Sequence, residues 1–378
     1  SAVTLPPGSS PVAPFGRDEF EARREGIRAR MREHGLEALL VVSPENVYYV
    51  LGLNYQGYFA FTLLVLPVDG TPVLLTRTVE RAAVAAQVSA ADHVTFSDDE
   101  DMVAAAVRAI GDVTRPGQSI GVERAAMFFP PAVWEGVRET LTDRRWADGS
   151  GLIEAVRAVK SPAELSLIRR AARISDKAMR AGIDAAGPDV SEREVAAHVY
   201  HKMIAAGSED PGFAPLIRGA DTLDQEHVTW RERRLGSGEG LFLELSASVH
   251  RYHAPLSRLV HIEALPSGVR GSATVAIDGL HAVLDALRPG TTAGAVYAAW
   301  QARIDAALGH SEYRRHHCGY LVGIGFPPSG VGGSSVVGLR AGSDLRIQAG
   351  MVFHVQSWIY GLPSWGPDYL VSDTVAVT

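Results

Sequence analysis

A carboxylate inside an apolar run constrains this chain more than any other feature. Residues 241–245 read Leu-Phe-Leu-Glu-Leu, so Glu244 interrupts a segment typical of a buried strand. Removing an ionised carboxylate from water costs free energy unless the group has a partner or its pKa rises. Two interpretations stay open here. Glu244 is either a functional group in a pocket, or a structural one that pairs with Arg251 or Arg258 or points to solvent from an edge strand.

The segments around this run are rich in groups that transfer protons or form hydrogen bonds. The polar side chains that interrupt strand-like segments, or lie close to them, are His227, His250, Tyr252, His253, His316, Tyr320, His354 and Gln356. A single histidine on an apolar strand is more often a satisfied core residue. Five histidines in one part of the chain are harder to explain in this way, because each buried one needs a hydrogen-bond partner.

Composition excludes several classes of function. The net charge is −7 and there is no dense basic block, which argues against a nucleic-acid partner. Apolar runs such as residues 59–67 are far shorter than the ~20 residues that cross a membrane. We expect no signal peptide, since no charged segment followed by an apolar one opens the chain. The single cysteine, Cys318, rules out an internal disulfide and fits a cytoplasmic location.

The length of 378 residues suits two domains. In the N-terminal part, apolar spacing predicts helices over 17–35, 79–90 and 102–110, and strands over 39–42, 61–67, 73–76 and 118–122. Residues 43–46 are predicted as a turn, and residues 1–16 as an extended arm. This alternation predicts a small α/β domain. The loop with Tyr55 and Tyr58 is either a surface turn or a polar lip over a binding site.

The C-terminal part opens on a helix start at Ser161, where serine, proline and then glutamate stand in the order of a capping box. Helices are predicted over 162–186, 191–206, 273–287 and 292–308, with a loop over 207–225. Strands are predicted around Glu244 and over 256–262, 316–326, 351–359 and 369–377. This order predicts an α+β unit with helices on one face of a curved sheet. The boundary is predicted within 147–161, which gives domains 1–155 and 156–378.

Several segments resemble the pita-bread family, which includes methionine and Xaa-Pro aminopeptidases, prolidase and creatinase. The resemblance covers nearly the whole chain, including the helix start at 161–165. It implies an α+β pita-bread catalytic domain preceded by a smaller creatinase-like α/β domain.

Peptidases of this family hold two metal ions with two Asp, one His and two Glu. The positions of this chain that match those ligands, in the same order, are Glu244, Pro255, Tyr320, Gln356 and Ser372. One carboxylate remains, and proline offers no donor atom, whereas a pair of hard cations needs several carboxylate oxygens. The resemblance therefore implies no metal and no other cofactor.

The metal-free branch of the family contains creatinase and ectoine hydrolase, and the likeness is closer to ectoine hydrolase. The segments that carry it are HVTW at 227–230, LELSA at 243–247, HRYHAPLSR at 250–258, GYLVGIGFPP at 319–328 and FHVQ at 353–356. Two departures remove charge. Residues 329–333 replace a tryptophan and acidic residues, and Ser372 replaces a glutamate. Ectoine is a zwitterion, so these changes allow a different small substrate.

The resemblance implies hydrolysis of a non-peptide C–N bond, in a cyclic amidine such as ectoine or in a guanidino or N-acyl amino acid. His227 matches the catalytic histidine, and Glu244 is the candidate nucleophile or orienting carboxylate. The residues expected to bind substrate are Tyr252, His250, His253, His316, Tyr320, His354, Gln356, Tyr55 and Tyr58. Relatives are homodimers whose N-terminal loop can reach the partner's site, so the resemblance implies a homodimer with this loop near the partner's site. Whether Tyr55 and Tyr58 act in trans stays open. The alternatives are another reaction, such as an elimination, and a non-catalytic binding protein.

Overall fold

The structure is a computed structural model that describes residues 14–309, 312–333, 336–362 and 364–378. The arm expected over residues 1–16 lies almost wholly outside the described residues. The chain divides into two compact units, one ending at Arg157 and the other beginning at Ala158. Within the described residues, no helix combines the length and apolar character needed to cross a bilayer.

The N-terminal unit is a six-stranded sheet with helices. Its elements are α1 (Arg17–Glu33), β1 (Ala38–Val41), α2 (Pro44–Leu51), β2 (Leu63–Pro67), β3 (Val73–Arg77), α3 (Arg81–Gln87), β4 (Asp92–Phe96), α4 (Met102–Val113), β5 (Ser119–Val122), α5 (Pro131–Thr140), β6 (Arg145–Asp148) and α6 (Leu152–Arg157). The strand order is β4-β3-β2-β1-β5-β6. Strand β2 is antiparallel to β1 and β3, and the other pairs are parallel. This is the small α/β domain predicted.

One local prediction in this unit is wrong. The segment predicted as a turn at 43–46 begins α2 instead, because Pro44 occupies the first turn of a helix, where its missing N–H removes no hydrogen bond. Gly52 ends the helix in the left-handed region, at φ 81°.

The C-terminal unit is an antiparallel sheet with four long helices. Its elements are α7 (Pro162–Ala185), α8 (Glu192–Ala205), β7 (Leu216–Gly219), β8 (Gly240–Val249), β9 (Tyr252–His261), α9 (Val269–Ala286), α10 (Ala293–Leu308), β10 (Gly319–Leu321), β11 (Val352–Ile359) and β12 (Tyr369–Ala376). The strand order is β10-β11-β12-β9-β8-β7. The expected capping box opens α7, where the Ser161 side chain accepts from the Glu164 N–H and the Glu164 side chain accepts from the Ser161 N–H.

Alternation along β11 separates the two faces of this sheet. Phe353 and Val355 join the core that includes Trp300 of α10. Ser357 lies on the same face, where its hydroxyl accepts a 3.0 Å hydrogen bond from the Trp300 indole. Because successive side chains of a strand point to opposite faces, His354 and Gln356 lie on the face away from these helices.

The hairpin between β8 and β9 explains part of the histidine-rich motif. Val249 pairs with Tyr252, which leaves His250 and Arg251 as the two turn residues. Their φ values are 47° and 67°, the left-handed geometry that a two-residue hairpin turn of type I′ requires. The turn fixes the register that carries Glu244.

Candidate functional site

Four neighbouring strands place a row of polar side chains on one face of the C-terminal sheet. Glu244 of β8 lies opposite Ser257 of β9, Ser257 lies opposite Ser372 of β12, and Ser372 lies opposite Gln356 of β11. Directly paired residues of antiparallel strands share a face, so the four side chains form one row. All four are buried.

Hydrogen bonds extend this row through His354. Its Nε2 lies 2.6 Å from the Ser372 hydroxyl, which lies 2.7 Å from the Ser257 hydroxyl. Its Nδ1 lies 3.0 Å from the hydroxyl of Tyr320, its partner residue on β10. Burial, aided by His317, lowers the pKa of His354 to about 3. Burial, together with the charge of Glu244, raises the pKa of Tyr320. The chain of hydroxyls and imidazole is therefore neutral at physiological pH.

The pKa of the Glu244 carboxyl group lies near neutral pH. Burial raises its pKa to about 7; the charge of Glu226 adds to this rise, and the charges of Arg218 and Arg315 oppose it. Its Oε1 lies 3.9 Å from Nδ1 of His354. Since that imidazole is neutral, Glu244 is not held in the charged form by a strong ion pair.

A second carboxylate, Glu226, is fully ionised. Arg315 donates to its Oε1 from Nη1 at 2.7 Å, and the Tyr360 hydroxyl donates to the same oxygen. Burial alone would raise the pKa of Glu226, but the hydrogen bonds from Arg315 and Tyr360 and the charge of Arg315 bring it to about 2. Sequence reasoning missed this group, although Glu226 opens the motif-rich stretch.

A buried arginine lies at the end of the row where Glu244 stands. Arg218 of β7 lies opposite Phe242, is 0% exposed, and holds its guanidinium carbon 4.5 Å from the centre of the Phe242 ring. Its Nε donates to the Thr222 carbonyl at 3.2 Å. Burial lowers the pKa of Arg218, and Glu244 is the first of the acidic neighbours that raise it. The sequence prediction missed this residue because residues 207–225 were predicted as loop.

A line of aromatic rings leads outward from His354. Ring centres are 5.3 Å apart between His354 and Tyr320, 5.4 Å between Tyr320 and His317, and 4.1 Å between His317 and His316. Burial, followed by the charges of His316 and Arg315, lowers the pKa of His317 to about 4. Burial also lowers the pKa of His316. The charge of His227 lowers the same pKa by a smaller amount, so His227, which is exposed, lies near His316. The predicted histidines 227, 316 and 354 thus belong to one region.

Three other predicted binding residues make contacts that hold the fold. His253 accepts from the Gly212 N–H at Nε2 (2.8 Å) and lies 2.9 Å from the Arg251 carbonyl at Nδ1. Tyr252 donates to the Glu164 carboxylate at 2.7 Å. His250 occupies the hairpin turn. A role in substrate binding for His250, Tyr252 or His253 stays a prediction.

Tyr55 and Tyr58 belong to the N-terminal unit. The Tyr55 hydroxyl lies 2.6 Å from that of Thr62, and burial raises its pKa to about 12. The Tyr58 ring packs at 6.2 Å from that of Phe128. Action of this loop on a substrate stays a prediction.

The five positions that resemble metal-ligand positions do lie on one face. Pro255 stands two residues before Ser257 on β9 and pairs with Ser246, so it shares the face of Glu244. Gln356 and Ser372 lie on the same face. Tyr320 joins them, because it lies opposite His354. A pair of hard divalent cations needs several carboxylate oxygens, and these positions supply one carboxylate. The Ser372 hydroxyl bonds to His354 and Ser257 instead. These residues do not fit a dinuclear metal centre.

Comparison with known proteins agrees with this architecture. The model of metallopeptidase family M24 matches residues 166–378, and that of the creatinase/prolidase N-terminal domain matches residues 23–159. The chain is similar to the ectoine hydrolase of Halomonas elongata, with 23% identity over 97% of this chain and 94% of that protein. It is also similar to the Xaa-Pro dipeptidase of Pyrococcus furiosus, with 22% identity over 95% of this chain and 96% of that protein.

Solved structures agree on the fold. The recombinant prolidase from Thermococcus sibiricus superposes with a TM-score of 0.84 and 21% identity, covering 96% of this chain and 95% of that one. The expected fold class, a pita-bread domain preceded by a creatinase-like α/β domain, is confirmed. From residues 166 to 378, this chain belongs to metallopeptidase family M24.

Proposed function

We propose that this chain is a metal-independent hydrolase of a non-peptide C–N bond in a small polar substrate. The substrate class is a cyclic amidine such as ectoine, or a guanidino or N-acyl amino acid. The observation that carries the proposal is the donor set on the sheet face, where Glu244 is the one carboxylate among the five positions that match metal ligands. The similarity to an ectoine hydrolase supports the same substrate class.

The reaction needs a base or nucleophile and a proton donor. With a pKa of about 7, Glu244 is ionised in a large fraction of molecules at neutral pH. In one route Glu244 takes a proton from water, the water oxygen bonds to the carbon, the C–N bond breaks, and the nitrogen leaves with a proton from His227, which the proton on Glu244 then replaces. In the other, a Glu244 oxygen bonds to the carbon, the C–N bond breaks as His227 protonates the nitrogen, and water then cleaves the adduct and returns a proton to His227. A well-placed acid or base contributes ~10²–10⁴ in rate.

The neutral groups around Glu244 orient the substrate. The Gln356 Oε1 is buried and has no hydrogen-bond partner within the described ranges, so it is free to accept from a substrate N–H. Nδ1 of His354 lies 3.9 Å from Oε1 of Glu244 and 3.0 Å from the Tyr320 hydroxyl, and both side chains are neutral. His227 is the proposed proton donor to the leaving nitrogen, on the strength of its match to the family's catalytic histidine.

The test is turnover after metal removal. We expect the purified protein, dialysed against a chelator, to hydrolyse members of a panel of cyclic amidines, guanidino acids and N-acyl diamino acids at its full rate. Xaa-Pro dipeptides serve as the comparison substrates. Activity that disappears with the chelator and returns with manganese or zinc would contradict the proposal, as would efficient dipeptide cleavage.

The two routes differ in where the water oxygen first appears. A single turnover in ¹⁸O-labelled water, followed by mass spectrometry of the peptide containing Glu244, separates them. Label in that carboxylate identifies Glu244 as nucleophile. Label in the product alone fits the base route, and also a nucleophilic route in which water adds to the substrate carbon. A Glu244 adduct trapped by rapid acid quench and detected by mass spectrometry separates these two.

A cytoplasmic homodimer, in which the loop at Tyr55 and Tyr58 reaches the partner's site, is the setting that the resemblance implies. Sedimentation of the purified chain checks the dimer. Loss of kcat/KM in a Tyr55→Phe variant, with the dimer intact, checks the loop.

A further inference from the structure

Buried donor atoms without partners cluster beside Glu244. Within the described residues, no hydrogen-bond acceptor meets Nη1 and Nη2 of Arg218, Nε1 of Trp358, or Nε and Nη2 of Arg315. A buried donor left unpaired costs stability, and more so when it is charged. Five such atoms in one region indicate a ligand that accepts hydrogen bonds.

The three side chains are held together by contacts with the aromatic rings of Phe242 and Trp358. The Arg218 guanidinium lies 4.5 Å from the Phe242 ring centre, and the Trp358 ring lies 5.5 Å from the same ring at 84°. The Arg315 guanidinium lies 5.0 Å from the Trp358 ring centre. Packing of this kind fixes the donors before any ligand arrives, which lowers the entropy lost on binding.

The charge balance favours an anion. Arg218 and Arg315 each carry a positive charge. Of the two nearby carboxylates, Glu226 is ionised, and burial raises the pKa of Glu244 to about 7. Glu226 uses its Oε1 on Nη1 of Arg315 and on Tyr360. Nε and Nη2 of Arg315 have no hydrogen-bond acceptor among the described residues, and the Tyr313 side chain lies close to this guanidinium. A guanidinium fork matches a carboxylate in two parallel hydrogen bonds.

We infer that Arg218, Trp358 and Arg315 form a subsite for a substrate carboxylate, an inference that rests on the proposed function. Arg218 pairs with Phe242, and Glu244 follows Phe242 by two residues, so Arg218 and Glu244 are diagonal neighbours on adjacent strands. Such neighbours lie roughly 7–8 Å apart. The substrate is therefore a compact zwitterion, with its carboxylate on Arg218 and its cationic or carbonyl carbon at Glu244.

The test compares acids with their carboxamides. Ectoine, guanidinoacetate and N-acetyl-2,4-diaminobutyrate, each as acid and as carboxamide, are titrated calorimetrically into the protein and assayed for hydrolysis in parallel. We expect at least one acid to bind about tenfold to a hundredfold more tightly than its amide, the range for hydrogen bonds to charged groups. Arg218→Met abolishes that ratio, Arg218→Lys restores part of it, and Trp358→Phe, which keeps an aromatic ring and removes one donor, lowers it.

Arg303→Met is the matched control, because Arg303 is half exposed and pairs with Asp278 between α9 and α10. It keeps the full ratio. Equal binding of acid and amide by the unaltered protein, or binding of neither, overturns the subsite. So does tighter binding of inorganic phosphate than of any acid. Hydrolysis without an acid preference refutes the subsite and leaves the proposed function standing, whereas acid preference without hydrolysis does the reverse.

Discussion

Each unit of this protein buries a glutamate beside polar groups, and the two differ in what surrounds them. Glu123 of the N-terminal unit is 2% exposed and Glu244 of the C-terminal unit 4%. Burial raises the pKa of both. Glu123 accepts from the N–H groups of Val42 and Ser43, each at 2.9 Å, and from the Asn46 amide at 2.5 Å. Glu244 instead lies 3.9 Å from His354, and Nη1 and Nη2 of Arg218 on the adjacent strand have no acceptor in the part of the chain that the structure describes.

The difference shows that burial and a raised pKa do not by themselves identify a functional carboxylate. Glu123 also borders a cavity of about 340 Å³, which Phe129 and Trp134 help to line. Even so, backbone and amide donors occupy both of its oxygens, and it ties β5 to the start of α2. Around Glu244, by contrast, Arg218, Gln356 and Trp358 on one face of the sheet carry polar atoms that have no hydrogen-bond partner among the described residues. A substrate can supply the missing partners.

The largest expected effect is on turnover. Glu244→Gln should lower kcat by more than ~10²-fold, because the amide neither accepts a proton nor attacks carbon. Glu123→Gln should leave kcat within about twofold, since its contacts lie inside the N-terminal unit. Steady-state kinetics on the best panel substrate, with circular dichroism to confirm folding, make the measurement.

His227→Ala belongs in the same series and should also lose more than ~10²-fold in kcat. Near-normal turnover in either the Glu244 or the His227 variant would remove that residue from the mechanism. Loss of turnover in folded Glu123→Gln would break the comparison itself.

The second expected effect is on stability against pH. The folded-state pKa of Glu244 is about 7, against 4.5 for an ordinary glutamate. Below pH 4.5 the carboxyl is protonated in both states; between 4.5 and about 7 only the unfolded state loses its proton, so the stability due to this group falls. The loss is at most about 3 kcal/mol and is complete above pH 7.

Denaturant unfolding at pH 5 and pH 8 checks this. Glu244→Gln should gain stability over the unaltered protein at pH 8 and little at pH 5. Glu123→Gln should lose about 1–3 kcal/mol at pH 8, because an amide cannot accept from all of the same donors. The same titration gives kcat/KM an acid limb near pH 7. A profile flat from pH 5 to 8 would mean that Glu244 need not be ionised.

The fold could be predicted from sequence where local signals are strong. The capping box at Ser161 and the alternation of β11 and β12 are such signals. The short strand β7 lies in a stretch rich in Gly, Pro and Asp, and pairing with β8 rather than its own sequence makes it a strand. Similarly, α5 begins at Pro131, in a stretch where no helix was predicted, and only residues 319–321 of the strand expected over 316–326 are a strand.

The same limit explains the site. Glu244 is visible in sequence because it interrupts an apolar run, and His354 because it interrupts another. Arg218 is not, because it lies on the strand that only pairing reveals. Glu226 and Arg315 form an ion pair although 89 residues separate them in the chain, and no sequence periodicity predicts such a contact.

The smallest expected effect concerns a third buried carboxylate, Glu164, which resembles Glu123 rather than Glu244. One of its oxygens accepts from the Ser161 N–H at 2.8 Å, and the other accepts from the Tyr252 hydroxyl at 2.7 Å. Tyr252→Phe removes one of these donors and keeps the ring, so it should cost about 1–3 kcal/mol in the free energy of unfolding. Tyr320→Phe serves as the matched variant on the site face, where it should lower kcat/KM instead. If Tyr252→Phe lowered kcat/KM without loss of stability, Tyr252 would contact substrate, and satisfied hydrogen bonds would no longer separate structural from functional groups in this protein.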